Sequence, residues 1–207
     1  MPGAQHHSSD GHLLFSEESG LSGGPLVALI HGSLDRSAGM IRLSRQLQDA
    51  ARVLRYDRRG YAKSWPHEGP FTVADQVEDL KHLLQGRSAV LVGHSYGGNV
   101  ALAAAQVLGD QITGVTTYET PLSWLEWWPG TTAGAIGVAS HVDDAAQAFM
   151  IRLIGQERWN ALPERTKNER RREGTALVGE LAALRAFVPW EASSIKTSVI
   201  CGFGSRG

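Results

Sequence analysis

The residues best suited to chemistry are Gly93-His94-Ser95-Tyr96-Gly97, followed at once by Gly98. A serine hydroxyl is a weak nucleophile until a base takes its proton and a tight turn lifts it clear of its neighbours. Such a turn needs residues without Cβ around it, and glycines stand two positions before and two after Ser95. The chemistry this suggests is acyl transfer through a covalent intermediate on serine. The flanking sequence agrees. Ala89 to Gly93 is small, β-branched and apolar, which predicts a buried strand. Asn99 to Leu108 is strongly helix-forming and Gly109 can end it, so the motif sits at a strand-to-helix turn. The helix start points its positive end at the serine, where oxyanion charge develops.

Two further segments belong with it. Pro25 to Ile30 is an uninterrupted apolar run, expected of a central parallel strand, and it ends in His31-Gly32-Ser33. Tyr56-Asp57-Arg58-Arg59-Gly60-Tyr61-Ala62-Lys63-Ser64 is a charged turn after another short strand. In this order the three segments resemble the α/β-hydrolase superfamily, and the resemblance covers Pro25 to Pro121. It implies an α/β fold with a doubly wound, mostly parallel sheet and a helical lid inserted after the sixth strand. The core is then expected at 1–120 and 193–207 and the lid at 121–192.

The resemblance also implies roles. Ser95 is expected to be the nucleophile, with the amides of Tyr96 and Ser33, or Leu34 in place of Ser33, as the oxyanion hole. Glu119 closes the sixth strand, Ile112 to Tyr118, at the sheet edge where such folds place their chemistry, and is expected to be the orienting acid; the alternatives are an acid after the seventh strand, beyond Gly207, where relatives usually carry it, and a structural role for Glu119 bonded to the lid. His31, Gly32, His94 and Trp124 are expected around the substrate. A serine at the elbow argues against haloalkane dehalogenase and soluble epoxide hydrolase chemistry, which need a carboxylate there. In relatives the base follows an eighth strand. None of the eight histidines occupies that position, so the expectation is a chain that stops short of its base, with His141 or His67 as the fallback.

Other elements must position these groups. Ser37 to Ala51 carries a helical stripe at Met40, Leu43 and Leu47. Thr72-x-x-Asp75 fits a capping box, and the helix behind it presents Val73, Val77, Leu80 and Leu84 on one face. The Asp-Arg-Arg turn is expected to form a structural ion-pair cluster. Beyond Pro121 the pattern changes to helices, at Asp143 to Ile154 and from Pro163 to Phe187 with a break at Gly174 or Gly179. Five of the six tryptophans fall here, most of them expected in lid packing. Lys167 to Glu173 is expected to be a solvated helix face.

Composition narrows the classes. The net charge is −1 with 20% charged residues, so no basic field suggests nucleic acid or an anionic membrane. No run approaches the length of a membrane span, and the polar start lacks the features of a signal peptide, so a cytoplasmic location is the expectation. Cys201 cannot pair within the chain and is expected to be buried. His6-His7, on a polar tail, is expected to be solvated rather than metal-binding, and no cofactor is implied. Three functions compete: a serine hydrolase of a small hydrophobic substrate, a catalytically silent binder of a small apolar ligand, and haloperoxidase or carbon–carbon bond hydrolase chemistry on the same serine. No G-x-G-x-x-G follows a strand, which argues against a dinucleotide site. The oligomeric state is open.

Overall fold

A computed structural model describes residues 3–8, 10–129 and 142–204. Seven strands form one sheet: β1 (Ala4–His7), β2 (Leu13–Gly20), β3 (Leu26–Ile30), β4 (Arg52–Asp57), β5 (Ala89–His94), β6 (Ile112–Tyr118) and β7 (Val199–Gly202). Their order is β1-β2-β4-β3-β5-β6-β7. The pairs β1/β2 and β2/β4 are antiparallel, and the remaining four pairs are parallel. Every residue of β3 is buried, as its unbroken apolar run demands of a strand covered on both faces.

Helices α1 (Ile41–Leu47), α2 (Val73–Leu84) and α3 (Tyr96–Leu108) flank the sheet. The stripe from Ser37 begins as a single 3₁₀ turn, and of its members Met40 is buried while Leu43 stays exposed. Helix α2 opens on the expected capping box: the Thr72 hydroxyl accepts from the Asp75 amide at 3.2 Å, and the Asp75 carboxylate accepts from the Thr72 amide at 3.0 Å. Its Val73, Val77, Leu80 and Leu84 enter the main core beside Leu91, Val100 and Ala104. Each such burial is worth roughly 1.5–3 kcal/mol over exposure.

Between β6 and β7 lie α4 (Val142–Ile154), α5 (Gln156–Ala161), α6 (Glu164–Arg172) and α7 (Gly174–Ala186). The break expected near Gly174 falls there, at Glu173 between α6 and α7, and the site needs a glycine because a Cβ on Gly174 would sit 2.1 Å from the Val142 carbonyl oxygen. The cluster of Ala146, Phe149, Ala176, Leu177 and Leu181 also contains Leu34, Tyr61 and Phe71, so these helices share a core with the loops beneath them. Asn99, fully buried on α3, donates to the Pro121 carbonyl and accepts from the Trp190 indole N–H, both at 2.9 Å. One side chain thus holds both ends of the inserted segment.

Three expectations are corrected. Residues 4–7, read as a loose tail, form β1 through backbone pairing with β2. Cys201 is exposed, because β7 packs against β6 on one side and carries exposed Val199 and Ile200. Glu173, placed on a solvated face, is fully buried. No described helix is long and apolar enough to cross a membrane.

Candidate active site

Strand β5 delivers Ser95 into a turn with φ 53° and ψ −125°, a conformation L-residues avoid. The turn is held by the Ser95 amide donating to the Tyr118 carbonyl at 2.8 Å and the Gly98 amide donating to the Ser95 carbonyl at 2.9 Å. The glycines are steric requirements. A Cβ on Gly97 would meet the Ile30 carbonyl oxygen at 2.3 Å, and one on Gly93 the Gly97 oxygen at 2.4 Å. Among the five described non-glycine residues at positive φ, Leu34, Ser95 and Glu119 sit at the carboxyl ends of the adjoining strands β3, β5 and β6. Backbone strain is therefore concentrated at one edge of the sheet.

Beyond β3, the His31-Gly32-Ser33 loop comes right up to the elbow: a Cβ on Gly32 would lie 2.9 Å from the Ser95 Cβ. No described acceptor pairs the Ser33 amide. The Tyr96 amide opens α3, where a helix leaves its first N–H groups without intrahelical partners. His31 does not line the cavity, contrary to expectation. Its ring is fully buried, Nδ1 donates to the Gly32 carbonyl at 2.8 Å, and Nε2 accepts from the Arg58 amide at 2.9 Å. Burial, reinforced by the Arg58 charge, holds its pKa well below that of a free imidazole, so it is neutral.

Beneath this loop lies a buried polar layer. The Arg58 guanidinium donates from Nη1 to Glu180 Oε2 at 2.6 Å, from Nε to the His31 carbonyl at 2.8 Å, and from Nη1 to Gln76 at 2.5 Å. Burial would lower the Arg58 pKa, but the Glu180 carboxylate more than offsets this and raises it. Glu180 Oε1 accepts from the Ser33 hydroxyl at 2.5 Å and the Tyr61 hydroxyl at 2.7 Å. Arg59 makes a bidentate pair with Asp79 at 2.7 and 2.8 Å. The turn does form an ion-pair cluster, but its acids come from α7, from α2 and, at 3.5 Å from Arg59, from Asp10 between β1 and β2. Asp57 instead accepts from the amides of Ser37 and Lys63. Sequence reasoning missed Glu180 and Glu173. Their seven-residue spacing within an arginine-rich lid was the available signal.

Ser95, His94, Gly32, Ser33 and Glu119 line one cavity of about 400 Å³, walled by Pro121, Trp128, Phe149, Leu153 and Leu181. Trp128 takes the place expected for Trp124, which instead packs edge-to-face on Trp190 at 5.4 Å against the main core. Trp159 is buried in the lid and Trp127 is exposed. Glu119 turns at φ 56°, its amide donates to the Gly202 carbonyl at 3.0 Å, and its carboxylate accepts from the Gly204 amide. No described histidine hydrogen-bonds Ser95. His94 stacks on Tyr118, His67 lies against His12 and Phe71 with Nε2 at the Pro70 carbonyl, and His141 falls outside the described residues. A second cavity of about 310 Å³, between Thr72 and Phe187, contains no titratable group.

A sequence model of the alpha/beta hydrolase fold matches residues 25–181. The chain is 28% identical over 193 residues to a proline iminopeptidase of Arabidopsis thaliana, covering 88% of this chain and 48% of that protein. It is 29% identical over 99 residues to a 2-(acetamidomethylene)succinate hydrolase of Mesorhizobium japonicum, covering 46% and 36%. It thus spans about half the length, or less, of these curated relatives. Among solved structures, an alpha/beta hydrolase from Sphaerobacter thermophilus superposes with TM-score 0.68 at 25% identity, over 99% of this chain and 83% of the other. An enol-lactonase from Burkholderia xenovorans superposes with TM-score 0.73 at 21% identity, over 96% and 80%.

Proposed function

The chain belongs to the α/β-hydrolase family, and from that premise we propose that it is a serine hydrolase acting on an ester, thioester or related acyl bond of a small hydrophobic substrate. The observation that carries this reading is the strained Ser95 in one apolar-walled cavity with Glu119 and the Ser33 loop. Ser95 Oγ attacks the carbonyl carbon and its proton passes to an imidazole. The carbonyl oxygen becomes an oxyanion that accepts from the amides of Tyr96 and Ser33. Collapse breaks the bond to the leaving group, which takes the proton back, and water then releases the acid from the acyl-enzyme. Glu119 orients that imidazole. The aromatic and leucine walls favour an uncharged acyl chain over a carboxylate-bearing one.

A second reading is favoured by the Ser95 hydroxyl, which has no hydrogen-bond partner among the described residues: a silent fold that binds an apolar ligand under the lid. One experiment separates the two. A fluorophosphonate should label Ser95 stoichiometrically, located by peptide mass, and should leave Ser95→Ala unlabelled. An unlabelled Ser95 in a protein that still takes up an apolar fluorophore would establish the binder instead.

A further inference from the structure

We propose that Glu180, a carboxylate of the lid, is a positioning residue for the oxyanion hole, so that seating the lid and assembling the hole are one event. The proposal rests on the serine-hydrolase reading above. Glu180 lies on α7, 147 residues from Ser33 in sequence, yet it accepts the Ser33 hydroxyl at 2.5 Å. Both residues are buried, Glu180 completely. Ser33 belongs to a loop outside the sheet ladder, in a turn closed by a long bond from the Asp35 amide to the Gly32 carbonyl, 3.4 Å, and next to Leu34 at φ 51°, so the backbone holds its amide weakly. Its side chain does so through Glu180.

The other end of the loop hangs on the same ion pair. Arg58, salt-bridged to Glu180, donates to the His31 carbonyl at 2.8 Å, and its guanidinium lies 4.8 Å from the centre of the Tyr96 ring. Tyr96 and Ser33 are the two expected amide donors, so both residues rest on one charge pair. Its basic half belongs to the core and its acidic half to the lid. An arginine alone could neutralise a buried carboxylate. Here the hydroxyls of Ser33 and Tyr61 take up the Oε1 lone pairs as well, which ties position to charge. Should the lid lift, Glu180 would lose Arg58, Ser33 and Tyr61 together, and the loop would lose its anchor.

Glu173 provides an internal control. It is equally buried and ties the lid to Arg36, three residues past Ser33, at 3.2 Å and to the Ala62 amide at 2.9 Å, without a hydrogen bond to His31, Gly32 or Ser33 among the described residues. The test measures Ser95 acylation by an activated ester, thermal stability, and affinity for an aryl trifluoromethyl ketone, whose adduct needs the oxyanion hole. Ser33→Ala and Glu180→Gln should each slow acylation about tenfold, less than outright removal of an oxyanion donor, and should weaken ketone binding in parallel. KM should stay within about twofold, since the interaction matters in the transition state. The double variant should lose no more than the worse single one, as expected of residues acting as a unit. Glu173→Gln should lower Tm yet acylate normally.

A folded Glu180→Gln with unaltered acylation and ketone affinity overturns the proposal while Ser95-dependent acylation upholds the hydrolase reading. If Glu180→Gln fails to fold, Ser33→Ala decides alone, and unchanged acylation there is fatal. If the unaltered protein and Ser95→Ala behave alike, both ideas fall.

Discussion

Ser95 and Glu119 leave neighbouring strands side by side: His94 pairs with Tyr118 in the β5/β6 register, and each next residue turns at positive φ, 53° and 56°. The Ser95 amide donates back to the Tyr118 carbonyl at 2.8 Å, locking the two turns together. Glu119→Gln should therefore slow fluorophosphonate labelling of Ser95 by roughly 10²–10⁴-fold, as expected when the group that orients a catalytic base is lost. Labelling at the unaltered rate would remove Glu119 as the orienting acid.

The elbow should tolerate no side chain at its glycines. Gly97→Ala drives a methyl to 2.3 Å from the Ile30 carbonyl oxygen, where backbone cannot yield, so a loss of about 1–3 kcal/mol or more is expected from urea unfolding. Gly114→Ala is the contrast. Its nearest neighbours are Val90 methyls at 3.8 Å, and removing a strand glycine should gain roughly 0.5–1 kcal/mol. Similar losses at both positions would discredit the steric argument.

His31 should make the protein acid-labile. Its folded pKa is depressed by burial and by Arg58, whereas an unfolded imidazole titrates near about 6.5. Below that value the unfolded state binds a proton the native state refuses, so stability falls with pH by up to about 1.4 kcal/mol per unit. His12 works in the opposite sense: burial lowers its pKa, but Asp79 and Asp10 outweigh this, and the stabilisation it adds is lost as pH rises above its folded pKa. Urea midpoints at about pH 7, 6 and 5 should fall less steeply in His31→Gln than in the unaltered protein. Parallel slopes would refute it.

Asn99→Ala should leave the Pro121 carbonyl and the Trp190 indole N–H without partners, a cost of about 1–3 kcal/mol if both stay buried. Because these groups bracket the insertion, limited proteolysis should cut residues 121–190 faster while the sheet survives. Cleavage at the unaltered rate would show that the ends are held by other contacts.

What the chain disclosed in advance was whatever local sequence determines. The elbow, the β3 loop and the capping box each declare themselves within a few residues, because turns need glycines and helix starts need acceptors. Strand β1 did not, since Ala4-Gln5-His6-His7 has no strand-like alternation and is recruited by the β2 edge. Nor could the partners of Arg58 and Arg59 be read, because Glu180 and Asp79 arrive from 122 and 20 residues away. Trp124 and Trp128 are indistinguishable in composition, and only the path of the chain after Pro121 decides which of them faces the cavity.

Asn99 and Glu180 together make the lid unequal as an inheritable part. Since both ends of the insertion meet at one amide side chain, its length can drift over generations without disturbing the sheet that hosts it. Its identity cannot drift so freely. A lid grafted from a relative lacking an acid at the Glu180 position would strand Arg58 as an uncompensated charge in the interior, a penalty of about 3–5 kcal/mol. Recombination of lids within this lineage should therefore succeed only where the arginine after Asp57 and the lid glutamate are exchanged as a pair.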